Sequence, residues 1–211
     1  MLKLIADGLA VDRGGRRVFA ALSFSLQAGH ALVVTGPNGV GKSSLLRTIA
    51  GLVSPAEGRL FIEDGRAEYS VAEHCHYFGH QDALKPSLTV MENLAFWQVF
   101  FGTDWPKESY QGLVSDPMAV LDRLGIAHTA NLPAAYLSAG QRRRLSLSRL
   151  LVSPRPVWLL DEPTSALDAA SEQELLVIMR EHLAVGGAII TATHTKLDLP
   201  SVMALHMEVA Q

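Results

Sequence analysis

The spacing of apolar positions changes along the chain, and each change predicts a different element. Residues 22–27 (LSFSLQ) alternate apolar and polar side chains, the two-residue period of a half-buried strand. Residues 31–35 (ALVVT) form a short apolar run typical of a buried strand. A glycine-rich turn at 36–41 and a helix over 42–50 follow, closed by Gly51 because glycine tolerates the left-handed conformation at helix ends. The predicted order is therefore strand, glycine loop and helix.

Helix signals dominate residues 82–153, where the strand patterns fade. Thr89 and Glu92 fit a capping box ahead of an apolar helix. The pair at 116–117 (DP) provides the cap and first-turn proline of a second helix. A third helix should run over 138–152, with leucines among arginines. We therefore expect this stretch to be helical.

Strand patterns return after the helical stretch. Strands are predicted at 157–160 and 188–193, with a helix through 175–183 that ends at the glycine pair 186–187. Alternating strands and helices favour a parallel sheet covered by helices on both faces. The predicted fold class is α/β.

Length and composition fit one domain rather than two. A chain of 211 residues with 48% hydrophobic content can bury one substantial core. We predict a single domain over residues 1–211, with 1–81 and 154–211 as the core and 82–153 as an inserted helical subdomain.

Charge, cysteine content and apolar runs limit the partners and the cellular location that we expect for this chain. Lysine and arginine number 18 against 21 acidic residues, so the net charge of −3 lacks the basic excess that binding to nucleic-acid phosphates requires. The single cysteine, Cys75, cannot form an internal disulfide, and residues 1–10 are too weakly apolar for a signal peptide. No charge-free apolar run reaches the roughly 20 residues of a membrane span. We expect no nucleic-acid partner, a cytosolic location and only peripheral membrane contact.

The glycine loop carries the first candidate chemistry. Its sequence GPNGVGKS matches the phosphate-loop pattern, in the expected place between a strand and a helix. Backbone N–H groups of such a loop surround phosphate oxygens, Lys42 reaches the β- and γ-phosphates, and Ser43 can ligate Mg²⁺. The alternative is a glycine-rich turn without a ligand. The predicted nucleotide-binding residues here are Gly36, Pro37, Asn38, Gly39, Val40, Gly41, Lys42, Ser43 and Ser44.

Two adjacent carboxylates follow the apolar strand at 157–160. Ligands of open parallel sheets bind at the carboxyl ends of the strands. Asp161 suits a water-bridged role at Mg²⁺, and Glu162 is placed to polarise the water that attacks the γ-phosphate. The alternative is a solvated strand end, where acidic residues are common, but the phosphate loop requires a metal partner.

The segment Leu137–Gln141 (LSAGQ), here called the signature segment, lies upstream of this carboxylate pair and resembles the signature of ABC transporter ATP-binding subunits. The resemblance covers nearly the whole chain. It implies a P-loop NTPase (RecA-like) core with a parallel sheet, an antiparallel β edge and an inserted helical subdomain. It also implies ATP and Mg²⁺ as cofactors, and a homodimer in which Ser138, Gly140 and Gln141 contact the nucleotide held by the opposite subunit.

Further positions match the same family pattern. Gln81 corresponds to the glutamine between the core and the helical part, which senses the metal and the γ-phosphate. Residues 165–168 correspond to the D-loop, with Asp168 near the nucleotide, and His194 corresponds to the switch histidine that bonds the γ-phosphate. A lone histidine after a strand is more often structural, and only the full set of family motifs favours a role for His194. With that set present, catalytic roles are expected for Glu162, His194, Gln81 and Lys42, and metal contacts for Ser43, Gln81 and Asp161.

One position departs from the family pattern. The family places an aromatic residue near Arg13 to stack on adenine, and residues 10–17 contain none. A guanidinium plane can stack on a base, so Arg13 is expected to take this place. We expect weak discrimination between nucleoside triphosphates.

Residues 79–94 (GHQDALKPSLTVMENL) resemble one branch of the family, the ATP-binding subunits of haem exporters in cytochrome c maturation, the Ccm system. This implies integral membrane permease subunits of the Ccm complex as partners, at the cytoplasmic face of the bacterial inner membrane. ATP hydrolysis would drive release of a haem-loaded periplasmic chaperone, with no direct haem binding by this chain. Aromatic residues at 96, 97, 100 and 101 either line a groove for a membrane partner's helix or belong to the core.

Four alternative functions fit these motifs less well. His74, Cys75 and His76 resemble metal or haem ligands, but in a strand Cys75 points away from its neighbours, so a solvated strand lead-in is expected. Residues 195–198 (TKLD) imitate a guanine-reading motif, yet a GTPase needs glycine three positions after Asp161, where this chain has Thr164. A non-transport ABC protein would need coiled-coil insertions, basic extensions or two motif sets, and a regulatory module would lack Glu162.

Overall fold

The computed structural model describes residues 1–102 and 116–208, so positions 103–115 of the predicted helical subdomain lie outside the described residues. Within these ranges the chain forms strands and α-helices in mixed order. The strands are β1 (Lys3–Arg13), β2 (Arg16–Gln27), β3 (Ala31–Thr35), β4 (Glu57–Glu63), β5 (Cys75–Phe78), β6 (Val157–Asp161), β7 (Ala188–Ala192) and β8 (Val202–His206). The helices are α1 (Lys42–Ile49), α2 (Val90–Phe101), α3 (Pro117–Arg123), α4 (Ala139–Val152) and α5 (Ala169–Ala184).

The strands form two sheets. A five-stranded sheet has the order β5-β6-β7-β3-β8, with parallel pairing throughout. A three-stranded antiparallel sheet has the order β2-β1-β4. The predicted parallel sheet, antiparallel β edge and helices are confirmed.

The ends of the predicted helices follow from their capping residues. Thr89 accepts a hydrogen bond from the Glu92 backbone N–H while the Glu92 carboxylate accepts from the Thr89 N–H, which completes the capping box of α2. The Asp116 carboxylate accepts from the Met118 backbone N–H and so caps α3, and Gly51 has a φ of 72° after α1. Local sequence therefore sets these boundaries.

The parallel sheet is buried on both faces. All five residues of β6 are buried, and Trp158 and Leu160 pack into one apolar cluster with residues of α2 to α5. Val157 and Leu159 pack on the opposite face, in a second cluster with residues of α1 and the antiparallel sheet. The apolar run at 157–160 lacks alternation because both of its faces are covered.

The segment at 74–76 is buried, so the expected solvated lead-in is wrong. His74, Cys75 and His76 are at most 5% exposed. Cys75 joins the second apolar cluster, whereas the His76 ring packs against the Phe101 ring at 4.4 Å. Burial lowers the pKa of His76 to about 3 and raises the pKa of the Cys75 thiol. Phe101 lies on α2, so the local sequence around His76 does not show this cover.

In the two described ranges, no helix has the length and apolar character needed to cross a membrane.

Candidate nucleotide site

The phosphate loop connects β3 to α1 and has glycine where side chains cannot fit. At Gly36 the φ is 137° and an added Cβ would lie 2.3 Å from the Met207 carbonyl oxygen. At Gly41 the φ is 110° and a Cβ would lie 2.6 Å from Val18 Cγ1. Glycine is therefore required at both ends of the loop, because the backbone is left-handed and closely packed there.

Lys42 opens α1 and its ammonium group turns back over the loop. The Nζ atom donates to the carbonyl oxygens of Gly36 at 2.7 Å and Pro37 at 3.1 Å. Only 8% of the residue is exposed. A buried cation held by loop carbonyls is placed to meet anionic oxygen atoms inside the loop.

Ser43 and Asp161 meet across the loop. The Ser43 hydroxyl donates to Asp161 Oδ1 at 3.0 Å, and Asp161 is 1% exposed at the end of β6. A hydroxyl beside a buried carboxylate is a set of hard oxygen ligands, which fits Mg²⁺. This observation supports the expected metal pair.

Glu162 and His194 lie on the same side of the loop. Glu162 has a φ of 48°, a left-handed conformation that costs on the order of 1–3 kcal/mol and is characteristic of functional sites. Its Oε1 atom is 3.9 Å from His194 Nε2. The same ring nitrogen is 3.0 Å from Asn38 Oδ1 and 3.5 Å from Lys42 Nζ. The structure thus brings together four predicted residues from three segments of the chain.

The signature segment forms the N-terminus of α4. The Ser138 hydroxyl accepts from the Gln141 backbone N–H at 3.2 Å, and the Gln141 side chain accepts from the Ser138 N–H at 2.9 Å. Ser138 is exposed, and a Cβ added at Gly140 would lie 3.9 Å from the Ala166 carbonyl oxygen. The signature segment therefore lies beside the predicted D-loop with Ser138 exposed, while Leu137 is buried in the core.

Three predicted residues occupy other environments. The Asp168 carboxylate caps α5 by accepting from the Ser171 backbone N–H at 2.8 Å, a bond that lowers the pKa of Asp168. Gln81 is exposed after β5, and Arg13 is exposed opposite Arg16 at the turn between β1 and β2. Their expected nucleotide and metal contacts stay predictions.

Arg143 is a site residue that sequence reasoning missed. Its guanidinium donates to the carbonyl oxygens of Gly79 at 2.8 Å and Glu162 at 3.1 Å, and it lies 3.8 Å from the centre of the Phe78 ring. It is 4% exposed, and burial lowers its pKa. The run of arginines at 142–144 is typical of a solvated helix face, so nothing local distinguishes this one.

Tyr77 is a second missed residue. Its hydroxyl lies 3.3 Å from Arg47 Nε and 3.3 Å from Asp161 Oδ2. Desolvation raises the pKa of this half-buried phenol. A tyrosine within a short buried strand gives no signal of such contacts before the sheet is assembled.

A cavity of about 1130 Å³ lies beside the site, between the end of β5 and α2. We call it the aromatic groove, and its wall includes Trp97, Phe100, Phe101, Arg47, Arg149 and Gln81. Phe100 is 65% exposed, and Phe96 on the same helix is 37% exposed. Phe96 and Phe100 are therefore surface residues rather than core residues.

The loop geometry, the carboxylate pair and the parallel sheet define a P-loop ATPase of the ABC class. A family model described as ABC transporter matches residues 19–165, and the chain belongs to that family. It is accordingly an ATP-binding protein that hydrolyses ATP, and this family membership replaces the GTPase alternative.

Relatives that match nearly the whole chain identify a branch within the ABC family. The chain is 52% identical over 198 residues to the cytochrome c biogenesis ATP-binding export protein CcmA of Nitrobacter winogradskyi, covering 94% of each chain. It is 54% identical over 196 residues to the protein of that name from Rhodopseudomonas palustris, covering 93% of this chain and 94% of the relative. These similarities confirm the predicted branch of the family.

Solved structures agree on the fold. An ATP-binding subunit of an ABC transporter aligns with a TM-score of 0.78 at 24% identity, covering 90% of this chain and 79% of the other. A dimeric ATP-binding cassette in a post-hydrolysis state, bound to ADP and Pi, aligns with a TM-score of 0.78 at 21% identity, covering 97% and 96%. The predicted P-loop NTPase fold is confirmed.

Proposed function

We propose that this chain is the ATP-hydrolysing subunit of an export system in cytochrome c biogenesis, the haem exporter of the Ccm system. The observation that carries the proposal is the convergence of Lys42, Asn38 and Glu162 on His194 beside the phosphate loop, each with a side-chain atom within 3.9 Å of His194 Nε2. The near-full-length identity to CcmA proteins supports this particular export system.

In this proposal the residues Gly36–Ser44 bind the ATP phosphates and Ser43, Asp161 and Gln81 hold Mg²⁺. The ion would neutralise charge on the β- and γ-phosphates. Glu162 orients and polarises the attacking water, since its backbone is held by the Ala192 carbonyl at 2.8 Å and by Arg143. His194 bonds the γ-phosphate, and Arg13 stacks on the base.

The second half of each site would come from another copy of the chain. Ser138 is exposed at the N-terminus of the fourteen-residue helix α4, where backbone N–H groups favour an anion. Its hydroxyl and backbone N–H bond to Gln141, and its carbonyl oxygen accepts from the Arg142 N–H, rather than any of them bonding to the phosphate loop. We therefore propose a head-to-tail homodimer in which Ser138, Gly140 and Gln141, together with Asp168 of the D-loop, approach the opposite subunit's nucleotide.

The proposed partners are the integral membrane subunits of the Ccm complex, at the cytoplasmic face of the bacterial inner membrane. A partner helix would occupy the aromatic groove, whose exposed Phe100 is otherwise a costly apolar surface. Closure of the ATP-bound dimer would pull on these subunits, and hydrolysis would reopen it and release the haem-loaded periplasmic chaperone. Haem and nucleic acid have no direct role at this chain.

The nucleotide proposal is tested with Glu162→Gln and Lys42→Ala. Glu162→Gln keeps the site's shape but removes the carboxylate that activates water, so the variant should elute as an ATP-dependent dimer in size-exclusion chromatography. Lys42→Ala should lose ATP turnover, because the phosphates lose their cation. A Glu162→Gln variant that stays monomeric with ATP, or undiminished turnover in Lys42→Ala, would contradict the site.

The export proposal is tested separately in cells. Deletion of the gene should abolish haem-stained c-type cytochromes, and the wild-type gene should restore them. A deletion strain with normal haem staining would overturn the assignment to cytochrome c biogenesis while leaving the ATPase assignment intact.

A further inference from the structure

One tyrosine hydroxyl lies between the aromatic groove and the nucleotide site. Tyr77 stands on β5, and its ring is half-buried. Its Oη atom is 3.3 Å from Arg47 Nε on one side and 3.3 Å from Asp161 Oδ2 on the other. Both Arg47 and Tyr77 contribute to the groove wall, whereas Asp161 faces the phosphate loop.

The two hydrogen bonds of the Tyr77 hydroxyl run in one direction, from Arg47 towards Asp161. Arginine Nε can only donate, so the Tyr77 oxygen accepts from Arg47, and the one phenolic proton is left for Asp161. The other carboxylate oxygen of Asp161 accepts from Ser43 at 3.0 Å. Each oxygen of this buried carboxylate therefore has its own donor, which sets the plane of the carboxylate group.

The surrounding backbone holds the tyrosine ring in place. A Cβ added at Gly79 would lie 2.9 Å from both Cε1 and Oη of Tyr77, so the absence of a side chain there makes room for the ring. Arg149, which also lines the groove, donates to the Tyr77 carbonyl oxygen. The hydroxyl is thus positioned by the packing of β5 rather than by chance orientation of a surface side chain.

We propose that Tyr77 is a positioning residue for the metal-holding carboxylate of Asp161, and that Arg47 connects this hydroxyl to the aromatic groove. The inference rests on the proposed function, which places Mg²⁺ at Ser43 and Asp161. Partners that orient a metal-binding carboxylate contribute strongly to metal affinity, although they do not touch the metal. A partner segment that moves Arg47 would change the orientation of Asp161 through the Tyr77 hydroxyl, which lies closer to Asp161 Oδ2 than His80 Nε2 does at 4.0 Å.

The test measures metal affinity directly. Mn²⁺ is titrated into the full chain in the presence of a non-hydrolysable ATP analogue, and free Mn²⁺ is followed by electron paramagnetic resonance. Tyr77→Phe keeps the ring and removes the proton donor, so its Mn²⁺ affinity should fall about tenfold. Its affinity for the analogue in EDTA should stay within about twofold of wild type, since no phosphate contact is lost.

Two further variants change the same hydroxyl by other means. Gly79→Ala retains the phenol but displaces the ring, so it should weaken Mn²⁺ binding as Tyr77→Phe does, which covers the case in which Tyr77→Phe folds poorly. Arg47→Met removes the donor from the groove side and should weaken Mn²⁺ binding about threefold. Tyr69→Phe is the matched control, because the Tyr69 ring lies under Arg66 at 4.7 Å, and it should bind Mn²⁺ as the wild type does.

The outcomes separate this inference from the proposed function. Wild-type Mn²⁺ affinity in both Tyr77→Phe and Gly79→Ala would overturn the role of Tyr77, and wild-type affinity in Arg47→Met would overturn the connection to the groove. If the unmodified chain binds neither the analogue nor Mn²⁺ with it, the nucleotide site itself is wrong.

Discussion

Arg143 Nη2 donates a hydrogen bond to the Glu162 carbonyl oxygen at 3.1 Å, and this bond joins helix α4 to the end of β6. Glu162 needs support of this kind because its backbone has a φ of 48°. The same guanidinium holds the Gly79 carbonyl, so the segment leading to Gln81 and the backbone of Glu162 share one buried cation. Helix α4, which begins at the signature segment, is thereby connected to the residue proposed to activate water.

This relationship predicts the effect of Arg143→Met. The substitution keeps the length of the side chain but leaves two carbonyl oxygens without their donor, so kcat for ATP hydrolysis should fall at least about tenfold through misplacement of Glu162. KM should change little, because the hydrogen bonds of Arg143 go to Gly79, Asp82 and Glu162 rather than to the phosphate loop. The free energy of unfolding should fall by about 2 kcal/mol, measured by urea titration.

Arg180→Met is the control for Arg143→Met, since Arg180 pairs with the exposed Asp198 at the surface. It should retain wild-type kcat and stability. Unchanged kcat in a folded Arg143→Met variant would show that Glu162 keeps its position without this contact.

Membrane association should depend on the aromatic groove. Trp97→Glu removes an aromatic surface from the groove wall while placing a carboxylate near the Arg149 guanidinium, which lies 5.2 Å from the Trp97 ring in the native chain. The variant should stay folded and bind nucleotide, but it should move from the membrane fraction to the supernatant after cell lysis. Phe61→Glu, on the outer face of β4, is the matched control and should stay with the membrane. Retained membrane association of Trp97→Glu would contradict the groove proposal.

Base selectivity should be weak because the expected stacking residue is Arg13 rather than an aromatic. ATP and GTP should be hydrolysed with kcat/KM values within a few fold of one another. Arg13→Ala should lower both values by about fivefold, the equivalent of roughly 1 kcal/mol of stacking. Arg16→Ala, across the same turn, should leave both values unchanged. A strong preference for ATP in the wild type would contradict the role of Arg13.

Acid should destabilise the fold through two buried histidines. Burial lowers the pKa of both His76 and His182 from an ordinary 6.5 to about 3. Between these pH values the unfolded chain binds protons that the folded chain does not, so the free energy of unfolding falls as the pH falls from 6.5 towards 3. Each histidine contributes about 1.4 kcal/mol per pH unit well below pH 6.5.

The measurement for this prediction is urea unfolding at several pH values between 6.5 and 4. His182→Phe keeps a ring stacked on Trp158, where the native ring centroids are 3.8 Å apart, and removes one titrating group. Its slope against pH should be smaller than the wild-type slope by about 1.4 kcal/mol per pH unit. The exposed His206→Gln should keep the wild-type slope, and an unchanged slope in His182→Phe would rule out His182 as a source of the acid sensitivity.

Sequence alone determined the features whose causes are local. The phosphate loop, the capping box at Thr89 and Glu92, and the glycine that closes α1 each depend on residues within a few positions of one another. The apolar runs at β3, β6 and β7 also identified the centre of the parallel sheet, because strands buried on both faces lack polar positions. The family and its branch followed from motifs of this kind.

Tertiary structure decided what depends on partners distant in the chain. Strand β1 escaped prediction because its register shifts at three places break the two-residue period, and only pairing with β2 and β4 defines it. The burial of Arg143 and His76 and the contact of Tyr77 with Asp161 join segments 64 to 84 positions apart. A side chain's exposure and hydrogen-bond partners depend on how the sheet and helices are assembled. The sequence around an arginine or tyrosine therefore does not determine whether that side chain is exposed or buried.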